Sequence, residues 1–306
     1  MAWTAADMAD LTGSVVVVTG ASSGIGEQTA LELARKGAHV VLACRSAEKA
    51  AAAKERILSE VTTASVEVLP LDLNDLVSVT TFADAFKAKH AHLDVLVNNA
   101  GIMAVPYAVT AQGFESQFGV NHLGHFALTA QLFDVLKASR SSRIVTLSSL
   151  AHRRGAIDFS NLMPSPPTYG PMKAYEQSKL CNLVFSYELD RRLRARGFEH
   201  VTSVACHPGW TNTNLFPHMW SGGLMPWLFP IVARVALQPV HVGCLPTLYA
   251  AVAKGVKGGE YYGPQSFSRW GPPVLEESTP ASHDNDVATQ LWDISEKLTN
   301  IKFNVE

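Results

Sequence analysis

The turn Thr19-Gly20-Ala21-Ser22-Ser23-Gly24-Ile25-Gly26 does most to limit what this chain can fold into, because of what surrounds it. Four valines, Val15 to Val18, precede it, and apolar residues at helical spacing, Ile25, Ala30, Leu33 and Ala34, follow it. A β-branched run bounded by glycine reads as a buried strand and the spacing after it as an amphipathic helix. Between the two, glycines let backbone N–H groups of Gly20, Ser22, Ser23, Gly24, Ile25 and Gly26 approach a pyrophosphate at the positive end of the helix. Taken alone, the same spacing also describes a tight turn that packs a helix on a strand. The flanking strand and helix favour the nucleotide.

The strand-then-helix theme repeats. His39 to Cys44, Val66 to Leu71 and Val95 to Val97 read as strands, with helices over Ala47 to Glu60 and Leu76 to His90 between them. A long helical region from about Phe114 to Ser139 leads to a strand ending at Ser148, and a helix over Met172 to Arg196 leads to the strand Val201 to Cys206. Such alternation, joined by right-handed crossovers, predicts an α/β fold: a doubly wound parallel sheet of Rossmann type whose ligands gather at the carboxyl ends of the strands. The chain is expected to form a single domain over residues 1 to 306, with a substrate lid over 214 to 240.

Tyr175 and Lys179 lie four residues apart on the helix from Met172, hence on one face with Cβ atoms roughly 5–6 Å apart. An ammonium beside a phenol lowers the phenol's pKa, which is one way to make tyrosine an acid-base catalyst. Ionising readily at neutral pH requires a drop of about 3 units from a free value near ~10, on the order of 4 kcal/mol. One lysine does not supply all of that; the fixed charge of an oxidised nicotinamide adds the rest. At the end of the second strand, where a fold preferring NAD carries a carboxylate for the ribose 2′-OH, this chain has Ala43-Cys44-Arg45-Ser46. A cation at Arg45 suits a 2′-phosphate, so the expected cofactor is NADP(H); the other reading of Arg45 is a solvated loop arginine.

Composition narrows the partners. The 306 residues carry a net charge of -2 and no lysine- and arginine-rich segment, which gives no electrostatic ground for binding nucleic acid. Cys44, Cys181, Cys206 and Cys244 are widely spaced, as buried thiols in a reducing compartment would be. The first ten residues contain Asp7 and Asp10 and no basic start, so neither a secretory signal nor a transit peptide is read there, and a cytoplasmic location is expected. Residues 219 to 237 are the most apolar stretch, but Gly222, Gly223, Pro226, Pro230 and Arg234 break it below the ~20 clean residues of a membrane span. It reads as a lid or an interfacial patch that touches a membrane peripherally. No metal site is expected: His122 and His125 are three apart on a helix but have no third ligand, and they read as packing or hydrogen-bonding residues beside Asn121.

Thr-Gly-Ala-Ser-Ser-Gly-Ile-Gly, Asn-Asn-Ala-Gly (98 to 101) and Tyr-x-x-x-Lys, in this order, resemble the short-chain dehydrogenase/reductase family over almost the whole chain. Val-Asn-His-Leu-Gly-His-Phe (120 to 126), Leu-Ser-Ser-Leu-Ala-His (147 to 152) and His-Pro-Gly-Trp-Thr-Asn-Thr-Asn-Leu (207 to 215) resemble its retinol-dehydrogenase-like branch. The resemblance implies that Tyr175 is the general acid/base, that Lys179 tunes it and bonds the nicotinamide ribose, and that Ser149 holds the substrate oxygen. Ser148 and Ser149 point to opposite sides of the sheet, and the resemblance selects the second. Asn121 would fix a water that links Lys179 to solvent; it also reads as a helix-interior asparagine bonded to a neighbouring strand's backbone. Asp72 and Leu73 match positions that contact adenine, Asn99, Ala100 and Gly101 those that line the adenosine ribose, and Pro208, Gly209 and Thr213 the loop that holds the nicotinamide carboxamide.

Two departures stand out. Thr211 replaces the usual valine, a change expected to alter packing more than chemistry, and the loop from Ser149 to Tyr175 is long, with Pro164, Pro166, Pro167 and Pro171 holding it extended. The resemblance further implies a small hydrophobic alcohol or carbonyl substrate, such as a retinoid, sterol or long-chain aldehyde, and the homo-oligomers common in the family. Two alternatives remain: a silent NADP(H)-binding sensor or scaffold, and a C=C reductase of the protochlorophyllide-reductase type.

Overall fold

Val16, Val17 and Val18 are fully buried, and the strand they form, β1 (Val15–Thr19), lies inside an eight-stranded sheet covered on both faces. The computed structural model describes residues 2–212 and 237–305. Thr213 and all but residues 237 to 240 of the expected lid, with Phe216, Trp220, Trp227 and Phe229, lie outside them.

From β1 the chain runs through α1 (Gly24–Arg35), β2 (His39–Cys44), α2 (Ala47–Glu60), β3 (Ser65–Pro70), α3 (Leu76–Lys87) and β4 (Val95–Asn98). The helical pieces α4 (Ser116–Phe118), α5 (Gly124–Gln131) and α6 (Phe133–Lys137) precede β5 (Ser142–Leu147), and α7 (Pro171–Ala195) precedes β6 (Val201–Cys206). Then come α8 (Val240–Gly243), α9 (Leu245–Val252), β7 (Tyr261–Ser266), β8 (Trp270–Leu275) and α10 (Asn285–Thr299). The sheet order is β3-β2-β1-β4-β5-β6-β7-β8, parallel throughout except for the final β7–β8 pair. Chain progression reverses between β1 and β4, and the crevice at that reversal is where such sheets bind ligands.

Strand alternation divides the interior into two layers. Val16 and Val18 face the side where Val40, Leu42, Val97 and Val204 pack, whereas Val15 and Val17 face Val41, Leu96, Ile144 and Phe126. The second layer is rich in rings: Phe126 meets Phe185, Trp292 and Phe303 edge-on, at centroid distances of 5.7, 5.2 and 5.7 Å. Trp292 comes from α10, so the C-terminal helix closes this layer. Side chains cap the helices that carry only structure: Ser46 accepts from the Lys49 N–H, Asp75 from Val77, and Asp284 from Asp286 and Val287. All four cysteines are buried and unpaired. Among the described residues, no helix is long and apolar enough to cross a membrane.

Two expectations are refined. The helical region from Phe114 to Ser139 is present but in pieces: a π turn, Gly119–Leu123, separates α4 from α5, and Leu132 separates α5 from α6. The π turn is where Asn121 turns its amide onto the loop after β4, so a tertiary contact interrupts a segment that is helical by composition. The loop before α7 is also not extended along its length. Backbone N–H groups of Thr168 and Tyr169 fold back onto the Ser165 carbonyl, while Gly170, ahead of Pro171, is extended.

Phe126→Ala removes the ring on which these aromatic contacts converge, and is expected to lower unfolding stability by about 3–5 kcal/mol. Urea denaturation would measure it; a loss below about 1 kcal/mol would mean that α10 does not close this layer in solution.

Candidate active site

The carboxyl ends of β1, β4, β5 and β6 meet the amino end of α1 and one face of α7. At the first of these, Gly20 and Gly24 have φ of +66° and +60°, a conformation glycine adopts without strain. Gly26 sits so close to the turn that a Cβ there would lie 2.6 Å from the Gly20 carbonyl oxygen and 2.5 Å from Asn99 Nδ2. Ser23 is the N-cap of α1, yet its side chain makes no capping bond, which leaves N–H groups of the first turn without that partner. That end of α1 has the chemistry of an anion site, and the turn fits a pyrophosphate.

Thr19 holds this turn to the rest of the site. Its Oγ1 accepts from the backbone N–H groups of Asn99 and Ala100, both at 2.9 Å, and lies 3.0 Å from His125 Nε2. Asn99 returns a bond from Nδ2 to the Thr19 carbonyl at 2.7 Å. His125 Nδ1 lies 3.0 Å from the Asn121 carbonyl, which can only accept. The ring proton therefore sits on Nδ1, and Nε2 accepts from the Thr19 hydroxyl. Burial lowers the His125 pKa to about 4, which keeps the ring neutral and suited to this relay.

Asn121 uses both ends of its amide as a brace. Nδ2 donates to the Ile102 carbonyl and Ser178 Oγ at 2.9 Å each, and Oδ1 accepts from Ile102 N–H at 2.8 Å. Ser178 Oγ donates in turn to the Tyr175 carbonyl, which ties the loop after β4 to the helix that carries Tyr175 and Lys179. Gly101 lies between them: a Cβ there would be 3.2 Å from Asn121 Oδ1 and 3.5 Å from Lys179 Nζ. Glycine at 101 leaves a space of about one small atom between the two groups.

Tyr175 is buried, and the Ser149 side chain beside it acts to lower the pKa of its hydroxyl. Lys179 Nζ lies 5.8 Å from the Tyr175 ring centroid and donates to the Leu147 carbonyl at 3.1 Å. Ser148 turns the other way and donates to the Lys179 carbonyl at 2.8 Å. Burial pushes the Tyr175 phenol up to about 12 despite the opposing influence of Ser149, and pushes the Lys179 ammonium down to about 8. The lysine on its own does not bring the phenol into the neutral range.

The remaining expected cofactor residues are spread along the same edge. Arg45 is exposed just past β2 and forms no ion pair or hydrogen bond with a described residue. Asp72 is half-buried and accepts from the Asn74 N–H, and Leu73 is buried beside Gly124. After β6, Gly209 has φ of +63°, and a Cβ there would strike the Arg269 carbonyl oxygen at 2.4 Å, so the loop leans on the β7–β8 turn. Pro208 presents its carbonyl to Thr211 Oγ1 at 2.6 Å and to Gln238 Nε2 at 2.8 Å. Thr211 thus does more than alter packing: a hydroxyl in place of a methyl closes this loop by a hydrogen bond.

His122 and His125 do not converge. His122 Nε2 meets Ser295 Oγ at 2.9 Å, and its ring packs on Phe118 and Phe185. His207 accepts the Gly209 N–H at Nδ1 and donates from Nε2 to Glu276, which makes it a brace for the Pro208 loop. His125 hydrogen-bonds beside Asn121 as expected, whereas Thr19, Ser178 and Gln238 are candidate-site residues that motif reading missed. Their sequence signals are that Thr19 opens the glycine turn and Ser178 lies within Tyr-x-x-x-Lys.

The family model described as short chain dehydrogenase matches residues 14–222. WW domain-containing oxidoreductase from Pongo abelii is 43% identical over 301 residues, covering 94% of this chain and 69% of that protein. Retinol dehydrogenase 13 from Homo sapiens is 42% identical over 301 residues, covering 96% and 87%. The crystal structure of a protein from Mycobacterium paratuberculosis is similar over the full length of both chains, with a TM-score of 0.83 at 42% identity.

Lys179 supplies a pH test. Its folded pKa of about 8 lies below the ordinary 10.5, so the unfolded chain holds the extra proton between those values and stability rises with pH through that window. The cost of burying the charge is fully present below pH about 8. Lys179→Met removes that cost, so its stability advantage over the parent should shrink by up to about 3 kcal/mol between pH 8 and 10.5. A pH-independent difference in urea midpoints would contradict the burial of the ammonium.

Proposed function

This chain belongs to the short-chain dehydrogenase family of oxidoreductases, and from that premise we propose that it interconverts a hydrophobic alcohol and its aldehyde or ketone with NADP(H). The observation that carries the reading is the meeting of Ser149, Tyr175 and Lys179 beside the glycine turn, with Ser149 acting on the buried phenol and the ammonium 5.8 Å from the ring.

When bound, the nicotinamide donates or accepts the hydride at the carbon that bears the oxygen. The chain's own residues do the rest. In the reducing direction Ser149 and Tyr175 donate hydrogen bonds to the substrate oxygen as negative charge builds on it, and Tyr175 delivers the proton. In the oxidising direction Tyr175 takes that proton back. Its burial makes the phenolate costly, so Lys179 and the positive charge of oxidised nicotinamide must together offset a pKa of about 12. Tyr175 regains its proton through Lys179, and the space over Gly101 between Nζ and Asn121 Oδ1 suits a bridging water. Asn121 also acts as a brace, so its two readings are compatible.

Gly20 to Gly26 hold the pyrophosphate, Asp72 and Leu73 the adenine, Asn99 to Gly101 the adenosine ribose, and Pro208 with Gly209 the carboxamide. Arg45, exposed and uncommitted, supports NADP over NAD because a guanidinium there has a 2′-phosphate to pair with. The name of the human retinol dehydrogenase supports an apolar substrate. Four unpaired, buried thiols fit a reducing compartment.

Tyr175→Phe should lower kcat about a thousandfold or more while the NADPH dissociation constant stays within a few-fold, because the hydroxyl serves the reacting oxygen. NADPH consumption with aliphatic and aromatic aldehydes, beside fluorescence titration of the cofactor, measures both; turnover surviving in the variant would defeat the assignment. Arg45→Asp should reduce the preference for NADPH over NADH at least about tenfold. An unchanged ratio would remove Arg45 from the cofactor site.

A further inference from the structure

The opposite end of the sheet carries a second cluster of chemically capable side chains that the redox site does not use. His39 is the first residue of β2, and Glu67 is the third of β3, the strand at the sheet's edge. His90 follows α3, its N–H bonded to the Phe86 carbonyl, which brings the ring back over the edge strand. None of these residues lies at a carboxyl strand end, where the cofactor turn is.

His90 Nε2 lies 3.0 Å and His39 Nε2 3.6 Å from the same carboxylate oxygen, Glu67 Oε2, and one ligand atom from each of the three residues falls within 4.8 Å of the others. In a tetrahedral zinc site with bonds near 2.0–2.1 Å, ligand atoms stand about 3.4 Å apart. The two measured separations bracket that value. Two imidazoles and one carboxylate form a donor set that zinc accepts, with a fourth position left to water.

A second observation points the same way. His39 Nδ1 is engaged with Ser65 Oγ at 2.6 Å, while His39 Nε2 is buried and has no hydrogen-bond partner. Orientation of a ligating ring through its other nitrogen is the usual supporting arrangement around a bound metal. His90 is steadied by Phe86, with ring centroids 4.6 Å apart, and lies 5.2 Å from the His39 ring. Lys89 Nζ bonds the other carboxylate oxygen, Oε1, so Oε2 alone faces the histidines. Elsewhere in the molecule, no other group of three histidine, cysteine or carboxylate side chains among the described residues comes together in this way.

We propose that His39, Glu67 and His90 bind a divalent transition cation of the zinc class, one per chain, as a clip that ties edge strand β3 to β2 and to the turn after α3. The ion sits at His39 Nε2, His90 Nε2 and Glu67 Oε2, with the His90 ring proton on Nδ1. It takes no part in hydride transfer, so the redox reading and this one stand or fall separately.

Isothermal titration of the chelator-treated full chain with zinc chloride tests it. One zinc per chain is expected, with affinity lowered at least about tenfold in His90→Ala and in Glu67→Gln. Lys89→Ala keeps all three ligand atoms and should bind zinc at least as tightly as the parent, which guards against loss of binding through misfolding. NADPH binding serves as the folding control and should be unchanged in all three variants. Absence of stoichiometric zinc binding by the parent, equal affinity in the ligand variants, or loss of binding in Lys89→Ala would each overturn the proposal.

Discussion

Burial of an ammonium and a phenol side by side is the constraint around which the site is organised. Removing both from water favours their uncharged forms, so Lys179 falls to about 8 as Tyr175 climbs to about 12. Fixed polar groups offset such burial: the Leu147 carbonyl accepts from the lysine, and the Ser149 side chain favours the ionised form of the tyrosine. Both groups come from the end of β5 and the residues just past it, a strand buried at every position but Arg143. Ser148 ties α7 to the same strand end by donating to the Lys179 carbonyl.

The same strand logic explains how much of the fold was legible. Strands β1, β2 and β4 to β6 are mostly buried runs and β3 a half-buried edge strand, and the bounds of all six follow the sequence within a residue or two. What was not legible lies where tertiary contact overrides composition. Residues 114 to 139 are helical by pattern, yet the Asn121 amide, bonded to Ile102, sits in a π turn that no periodicity announces. Strands β7 and β8 escaped notice because Tyr-Tyr-Gly-Pro-Gln-Ser and Trp-Gly-Pro-Pro-Val-Leu carry glycine and proline, which argue against a central strand and suit an edge.

Site residues divide in a similar way. Tyr175, Lys179 and the glycines are readable because the signal they carry is local, a fixed spacing on one helix or one turn. Thr19, His125 and Ser178 act through partners far away in sequence: the Thr19 hydroxyl meets the backbone of Asn99, 80 residues on, and His125, 106 residues on. Pairings at such separations depend on the sheet order and do not show in a window of a dozen residues. His39, Glu67 and His90 are likewise brought together only by strand register and the length of α3.

The loop after β6 owes its shape to a neighbour with no chemistry of its own. With the Arg269 carbonyl oxygen standing where a Gly209 side chain would be, the tip of the β7–β8 hairpin works as a backstop. Lengthening or shortening that hairpin would reshape the Pro208–Gly209 loop without touching a single motif, a route by which relatives could diversify while Tyr175 and Lys179 stay in place.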